Sequence, residues 1–304
     1  MGASPLDRLD FMILGAGKSG TTTLADYLAL HEEVCMSVPK EPWFFDTSDF
    51  RNGIGWYAKR YFSNCAAGQI RGEASSQSLF VPYVPRRIWE YFPHVRLVAI
   101  LRDPAERAYA DWWMKYASGE EDKDFESAVA QDIARMERGV DFSDEKDWQI
   151  HIDHLRRGQV RHGVYVDYGF YAQQLERYLE IFRGDRIKVL LFDDLVTDPE
   201  SALSSVARFV GVSSPLPVQP ESPIWSNAAV GPKLARLRRL NHRYGRLIPP
   251  FLRSTVRTTA SNLFGREKKP PMPEQVRKLL IARYSEDIAR LEALLGRDLT
   301  EWKK

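Results

Sequence analysis

FMILGAGKSGTTTL, residues 11–24, carries the strongest structural signal in this chain. Its apolar start, residues 11–14, predicts a buried parallel strand, and the stretch that follows Thr21 has the apolar periodicity of a helix. Between the two lies a glycine-rich turn, residues 15–20, that contains Lys18. A strand, a glycine-rich turn and a helix N-terminus form a cradle for a phosphate group, because the first-turn N–H groups and the lysine charge face the anion. The sequence therefore predicts that the chain handles a phosphorylated small molecule.

The spacing of this turn differs from that of ATP- and GTP-binding loops. Those loops have the pattern G-x-x-x-x-G-K-[ST], and Gly17-Lys18-Ser19 supplies only its end. The position five before Gly17 is Met12, inside the predicted strand. The turn is therefore too short for a triphosphate with Mg²⁺, and it suits a single 5′-phosphate that carries one further group.

A second segment, residues 187–194 (IKVLLFDD), is similar to the strand and metal carboxylate of nucleoside triphosphatases. Two interpretations stay open here. In a kinase that uses ATP, Asp193 would hold Mg²⁺, whereas a core strand that ends in a capping aspartate needs no metal. We find no other set of residues in the sequence with the spacing of a metal site.

Three segments, in this order along the chain, resemble the sulfotransferase family, whose donor is 3′-phosphoadenosine 5′-phosphosulfate (PAPS). Residues 18–24 (KSGTTTL) look like the 5′-phosphosulfate loop of that family, residues 40–46 (KEPWFFD) resemble the Lys-Glu-x-x-Phe-Phe segment of its heparan-type and related bacterial members, and residues 101–109 (LRDPAERAY) are similar to its 3′-phosphate segment. Residues 169–195 and 273–302 also follow the family pattern, so the resemblance covers most of the chain.

The resemblance implies an α/β fold in one domain over residues 1–304: a central parallel sheet flanked by helices, similar to that of the P-loop NTPases. The alternation of strand-like and helical segments supports the same class. We expect strands at residues 11–14, 70–73, 96–101 and 187–192, and helices at residues 22–30, 104–116, 168–182 and 273–294. One face of the last helix is predicted to be apolar: Val276, Leu279, Leu280, Tyr284, Ile288 and Leu291.

The resemblance also implies which residues bind the donor. The 5′-phosphosulfate is expected on the glycine-rich turn and the start of the helix: Gly17, Lys18, Ser19, Gly20, Thr21 and Thr22. Ser19 is expected to hold Lys18 until the acceptor arrives. The 3′-phosphate is expected on Arg102, because ligands collect at the carboxyl ends of strands in open α/β sheets and a guanidinium matches a phosphate. Where the family commonly has a serine, this chain has Ala110, which removes ~1–2 kcal/mol of donor affinity.

Sulfuryl transfer is an in-line displacement at sulfur, so it needs cations on the leaving side and a base on the attacking side. Lys18 is the predicted catalytic cation. The resemblance implies that Glu41, beside Lys40 and an aromatic run, is the catalytic base; the alternative is that Glu41 only pairs with Lys40. Members of this branch often have histidine where this chain has Trp43, so we expect the base to lack the help of an imidazole.

Bulk composition excludes several classes of protein. The chain has 304 residues, of which 44% are hydrophobic and 28% charged, as in ordinary globular proteins. Its net charge of +2 is too small for bulk nucleic-acid binding, and no apolar run approaches the length of about 18 residues that a transmembrane helix needs. Cys35 and Cys65 are the only cysteines, and we expect two free thiols in a reducing cytoplasm.

Three segments are expected to complete the domain. Residues 119–147, rich in acids, predict a helix and a solvated loop that serves as a lid or as an insertion on the acceptor side. Residues 223–272 are expected to cover the donor or acceptor, and within them residues 233–257 contain eight Lys or Arg and no acid. This basic stretch either receives an anionic acceptor or a lipid headgroup, as in peripheral membrane contact, or is an ordinary solvated helix face. Residues 273–304 are expected to form a C-terminal helix.

The sequence thus predicts a sulfotransferase that uses PAPS without a metal. The predicted acceptor is a hydroxyl group, or an amine, of a carbohydrate, a glycolipid or another small molecule. Two alternatives stay open at this point: a small-molecule kinase that uses ATP and Mg²⁺ through Asp193, and a nucleotide-binding scaffold without catalytic activity.

Overall fold

A parallel sheet of five strands forms the centre of the fold. The computed structural model of the chain describes residues 8–157, 160, 163–213 and 269–304, and within them the strand order is β2-β3-β1-β4-β5. The strands are β1 (Phe11–Gly15), β2 (Val34–Met36), β3 (Ile70–Ala74), β4 (Arg96–Leu101) and β5 (Ile187–Leu191). All neighbouring pairs are parallel. The predicted α/β class with a central parallel sheet is confirmed.

β1 lies in the middle of the sheet, where it pairs with β3 on one side and with β4 on the other. Phe11 and Ile13 pack into the core on one face, and Met12 and Leu14 pack into the core on the opposite face, as the two-residue period of a strand requires. A strand buried on both faces shows an unbroken apolar run in the sequence. The run FMIL therefore identified it without any alternation of polar residues.

Helices cover both faces of the sheet. Their bounds are α1 (Thr21–Ala29), α2 (Ile54–Tyr61), α3 (Val84–Tyr91), α4 (Pro104–Ser118), α5 (Phe125–Glu137), α6 (Glu145–Arg156), α7 (Tyr171–Leu179), α8 (Phe192–Thr197), α9 (Pro199–Val210) and α10 (Glu274–Leu295). The core on the Phe11 face includes residues of α1 and α9, such as Leu28 and Val206. The larger core on the Met12 face includes residues of α4, α7 and α10, such as Ala108, Leu175 and Tyr284.

Two of the predicted elements differ from those observed, and one strand was not predicted. β2 was missed, since its three residues are too few to show a period. β5 is at the edge of the described sheet rather than in its core, and only Leu190 and Leu191 in it are buried. The helix predicted at residues 168–182 begins only at Tyr171, because residues 167–169 form a 3₁₀ turn.

α10 packs its apolar side chains into the larger core. Its buried apolar stripe contains five of the six predicted side chains, but Leu279 is 48% exposed. Asp287 on the same helix accepts the N–H groups of Ala172 at 3.0 Å and of Gln173 at 3.2 Å. This carboxylate caps α7, so α10 and α7 are joined by a polar contact as well as by apolar packing.

Residues 119–147 contain more ordered structure than predicted. α5 buries Phe125, Ala128 and Val129 in the larger core, and its Arg135 forms buried ion pairs with Asp132 and Asp167. α6 begins at Glu145. The role of this segment as a lid or acceptor-side insertion stays a prediction. The basic stretch at residues 233–257 lies outside the described residues.

The expectation of free thiols was wrong. Cys35 in β2 and Cys65, in the turn after α2, form a disulfide. Since structural disulfides persist mainly in oxidising compartments, the predicted cytoplasmic location loses the support that the cysteine count had given it, and stays a prediction. Among the described residues, no helix combines the length and the apolar character needed to cross a bilayer.

The disulfide is expected to contribute to stability. Its cysteines are separated by 30 residues, so replacing both by serine releases a loop in the unfolded chain and lowers the free energy of unfolding by about 2–4 kcal/mol. Urea denaturation of the wild type with and without a reductant, and of the double variant, measures this. The reductant is expected to leave the free energy of unfolding of the double variant unchanged, because that variant has no disulfide to reduce. Alkylation of both cysteines in unfolded, unreduced protein would contradict the expectation.

Candidate functional site

The predicted site residues meet at one edge of the sheet. The glycine-rich turn follows β1 and Arg102 follows β4, and these strands are parallel neighbours, so their carboxyl ends lie side by side. Glu41 lies in the loop after β2, and its N–H donates to the carbonyl of Ala74 at the end of β3 at 3.0 Å. The structure thus brings together residues from four strand ends; their binding and catalytic roles stay predictions.

The turn after β1 has the features of an anion cradle. Gly20, the N-cap of α1, has a φ of 99° and makes no side-chain cap hydrogen bond, so the N-cap residue supplies no acceptor to the first-turn N–H groups. The Oγ atom of Ser19 is buried and has no hydrogen-bond partner among the described residues. The expected contact between Ser19 and Lys18 is therefore absent. An uncapped helix start and an unpartnered hydroxyl fit an anionic group with several oxygens.

Lys18 lies without a carboxylate partner among the described residues. Its Nζ atom instead donates to the Sδ atom of Met114 on α4 at 3.1 Å. Burial lowers the pKa of Lys18, and the charges of Lys115 and Arg102 act in the same direction, whereas Asp111 raises it. Asp111 is itself paired with Lys115 at 3.2 Å. Glu41 also raises the pKa of Lys18. The ammonium of Lys18 is therefore partly desolvated and has no direct carboxylate contact among the described residues, so an added anion would stabilise it.

Glu41 is held by three donors. Its Oε1 atom accepts from Lys40 Nζ at 3.3 Å and from Ser76 Oγ at 2.7 Å, and its Oε2 atom accepts from the indole Nε1 of Trp43 at 3.0 Å. The expected pairing with Lys40 exists, but it is one contact of several. Position 43 offers this carboxylate no imidazole, as the sequence indicated, and the indole N–H of Trp43 donates a hydrogen bond to it instead.

Ser76 joins this carboxylate to the cradle, although the sequence had predicted no role for it. A Cβ atom on Gly17 would lie 3.7 Å from Ser76 Oγ, and the same hydroxyl donates to Glu41. The glycine-rich turn and the carboxylate therefore both lie next to the hydroxyl of Ser76. The available signal was the segment Gly72-Glu73-Ala74-Ser75-Ser76, which begins within β3 and continues past its end.

A second cationic region surrounds Arg102. Its guanidinium lies 4.8 Å from the centre of the Phe192 ring and 3.4 Å from Glu106. Lys269 and Arg277 each lie 3.6 Å from the same Glu106, so one carboxylate is shared by three cations. Burial lowers the pKa of Lys269, and the charge of Arg102 acts in the same direction. This region can accept a second anionic group.

Lys269 was not predicted individually, although it lies in the segment expected to cover the donor. Its Nζ atom is 4.2 Å from the centre of the Tyr109 ring, and Tyr109 in turn donates to the carbonyl of Pro270 at 2.9 Å. The end of the covering segment is thereby fixed against α4, next to Arg102. Lys269 directly follows Lys268, and the sequence has no signal that separates it from such neighbouring cations.

Asp194, the second of the two carboxylates after β5, has a structural explanation. Asp194 accepts the N–H of Leu191 at 3.0 Å and pairs with Arg297 at 2.8 Å, and Arg297 lowers the pKa of Asp194. This is the capping aspartate that one of the two interpretations of residues 187–194 predicted. No group of three or more His, Cys, Asp and Glu side chains suited to a metal occurs in the part of the chain that the structure describes.

Known proteins are similar to this chain over most of its length. A family model described as "Sulfotransferase domain" matches residues 8–227. The membrane-associated sulfotransferase kil1 of Dictyostelium discoideum is 24% identical over 265 aligned residues, which cover 67% of this chain and 56% of that protein. The bifunctional heparan sulfate N-deacetylase/N-sulfotransferase 3 of Homo sapiens is 27% identical over 213 residues, 68% of this chain and 23% of that protein. Each alignment therefore spans about half, or less, of the relative's length.

A solved structure shares the fold. The sulfotransferase of Alicyclobacillus acidocaldarius superposes with a TM-score of 0.65 at 24% identity, over 98% of this chain and 99% of its own.

The backbone at Gly20 is expected to tolerate no side chain. Gly20→Ala places a Cβ atom 3.3 Å from Leu195 Cδ1 at a φ of 99°, whereas Gly68→Ala, at a φ of 87°, meets no atom within 4 Å. The control change costs about 1–2 kcal/mol of unfolding free energy through the left-handed backbone alone, and Gly20→Ala costs more. Chemical denaturation of both variants measures the difference; equal losses would contradict the packing at Gly20.

Proposed function

Because the chain belongs to the sulfotransferase domain family, we propose that it transfers a sulfuryl group from PAPS to an acceptor hydroxyl or amine. The observation that carries this proposal is the pair of cationic regions at the ends of adjacent strands, one at Lys18 after β1 and one at Arg102 after β4. A donor with phosphates at both its 5′ and 3′ positions needs two such regions. A triphosphate would need a longer loop after β1.

The residues present fit this donor. Its 5′ end would lie on the uncapped start of α1, with Gly17, Gly20, Thr21 and Thr22 giving N–H groups and Lys18 giving a full charge. The unpartnered hydroxyl of Ser19 supports an anion at the same place. The 3′-phosphate would lie on Arg102. Lys269 is the neighbouring cation and can compensate for the serine that is absent at Ala110.

The chemistry needs charge stabilisation on one side and proton removal on the other. PAPS supplies the sulfuryl group and a phosphate leaving group. Glu41 takes the acceptor's proton while the acceptor oxygen or nitrogen bonds to sulfur and the bond from sulfur to the 5′-phosphate oxygen breaks. Lys18 stabilises the negative charge that develops on that oxygen, so adenosine 3′,5′-bisphosphate leaves with both electrons of the broken bond.

The hydrogen bonds of Glu41 suggest which oxygen takes the proton. Oε1 accepts from both Lys40 and Ser76, whereas Oε2 accepts from Trp43 alone. A carboxylate oxygen has two lone pairs, so Oε2 keeps one for the acceptor. The indole fixes the carboxylate without occupying the position that the acceptor requires.

The acceptor is proposed to be a carbohydrate or a glycolipid. One relative is named for N-sulfation of heparan sulfate, which supports a sugar and keeps an amine as an alternative to a hydroxyl. On the acceptor side, Arg156 of α6 lies 5.6 Å from the centre of the Trp43 ring. A location in the cytoplasm and membrane contact through residues 233–257 remain proposals.

Glu41→Gln is expected to abolish sulfuryl transfer and to leave adenosine 3′,5′-bisphosphate binding intact. Loss of a general base lowers the rate by about 10²–10⁴-fold, while the donor-side cations are untouched. Radiolabelled PAPS with heparan sulfate or extracted glycolipids as acceptors measures transfer, and calorimetry measures binding. The exposed glutamate variant Glu126→Gln is the matched control. Unchanged transfer in Glu41→Gln would exclude this residue as the base, and no transfer by the wild type would favour a scaffold.

Arg102→Ala is expected to weaken binding of adenosine 3′,5′-bisphosphate by about tenfold or more, the scale of one charged hydrogen bond, and to leave binding of adenosine 5′-phosphate nearly unchanged. The comparison isolates the 3′-phosphate, because the two ligands differ only in that group. Arg183→Ala, at an exposed position, is the control. Equal losses for both ligands would contradict the assignment of Arg102 to the 3′-phosphate.

A further inference from the structure

Glu73, in β3, is a buried carboxylate that the proposed mechanism does not use. Its side chain is inaccessible to solvent, and no cation among the described residues pairs with it. Two hydroxyl groups donate to it instead: Tyr57 to Oε2, and Ser75 to Oε1 at 2.6 Å. Burial of a carboxylate without a cation is unfavourable, so its contacts deserve a functional explanation.

A chain of hydrogen bonds leads from Glu73 to Glu41. Ser75 donates its single hydroxyl proton to Glu73, which leaves its oxygen lone pairs to accept the backbone N–H of Trp43 at 3.4 Å. The indole of the same Trp43 donates to Glu41 Oε2 at 3.0 Å. The orientation of the Ser75 hydroxyl therefore decides whether the Trp43 backbone has an acceptor.

The backbone of Trp43, which these hydrogen bonds hold, is in an unfavourable conformation. Among the described residues other than glycine, positive φ angles occur at Lys18 (70°), Glu41 (62°), Trp43 (53°) and Phe142 (59°). The first three flank the proposed site. Such conformations persist only where the surroundings impose them, and here the N–H of Trp43 is held by Ser75 and its carbonyl by the Thr47 hydroxyl at 2.6 Å.

We propose that Glu73 is a positioning residue for Glu41, acting through Ser75 and the backbone of Trp43. It fixes the hydroxyl of Ser75, the serine fixes Trp43, and the indole fixes the carboxylate that accepts the proton. The inference rests on the proposed role of Glu41 as the base, and it assigns Glu73 no contact with donor or acceptor.

The positioning depends on the charge of Glu73. Burial raises the pKa of Glu73 to about 7, the charge of Glu41 acts in the same direction, and the hydrogen bonds from Ser75 and Tyr57 oppose the rise. Other titratable groups that face it are Asp46, Tyr61 and Tyr178. A proton on Oε1 makes that oxygen a donor toward Ser75 Oγ, so the serine hydroxyl no longer donates to it. The positioning is therefore present above about pH 7 and lost below it.

Three variants test the inference: Glu73→Gln, Ser75→Ala and the two changes combined. At a pH well above the value of about 7 for Glu73, each single change is expected to lower kcat by about 10–100-fold, as small misplacement of a reacting group does, with the KM for PAPS unchanged. The combined variant is expected to be no slower than Ser75→Ala, because both changes break one chain. Ser285→Ala, an exposed serine on α10, is the matched control.

The pH profile separates positioning from a general loss of stability. Below the pKa of Glu73 the wild type also has a neutral side chain at this position, so the deficit of Glu73→Gln is expected to shrink as the pH falls. A deficit that is constant with pH, or single effects that multiply in the combined variant, would overturn the proposal.

A measurement that does not depend on activity distinguishes failure of the positioning by Glu73 from failure of the proposed sulfuryl transfer. The indole N–H resonance of Trp43, assigned by its absence in Trp43→Phe, is expected to shift and to exchange faster with solvent in Glu73→Gln and Ser75→Ala. An unchanged resonance overturns the positioning whatever the activity. If the resonance responds as expected but the wild type transfers no sulfuryl group, the proposed function fails while the link from Glu73 to Trp43 stands.

Discussion

The parallel pairing of β1 with both β3 and β4 is the constraint on which the site depends. Parallel neighbours end at the same edge of a sheet, so the turn after β1, the serines after β3 and Arg102 after β4 are brought side by side. β2, paired with β3, adds the loop that contains Glu41. A sheet with any of these strands reversed would carry the same side chains to opposite edges, and the cationic regions and the carboxylate would share no cleft.

Charge is divided unevenly across this edge. On the side of β1 and β4, Lys18, Arg102 and Lys269 have few carboxylate partners, and burial lowers the pKa of both lysines. On the side of β2 and β3, burial raises the pKa of the carboxyls of Glu73 and Asp46, to about 7 and about 8. A reaction that delivers negative charge to one side and a proton to the other is served by this division. Ser76 lies where the two sides meet.

The sequence predicted the elements whose signals are local. The apolar run of β1, the glycine-rich turn and the Arg-Asp-Pro start of α4 were found because their signals lie within a few residues. The contacts that organise Glu41 were not found, since Trp43, Ser75 and Ser76 come together only through the pairing of β2 with β3. The Cys35–Cys65 disulfide was missed for the same reason: a pair of cysteines 30 residues apart indicates no contact until the fold is known.

A crystal structure with bound adenosine 3′,5′-bisphosphate tests the central claim most directly. The account predicts the 5′-phosphate on the first-turn N–H groups of α1 beside Lys18, the 3′-phosphate on Arg102, and an open volume between the 5′-phosphate and Glu41 Oε2. A ligand bound with either phosphate away from these residues, or with Glu41 on the far side of the nucleotide, would contradict it.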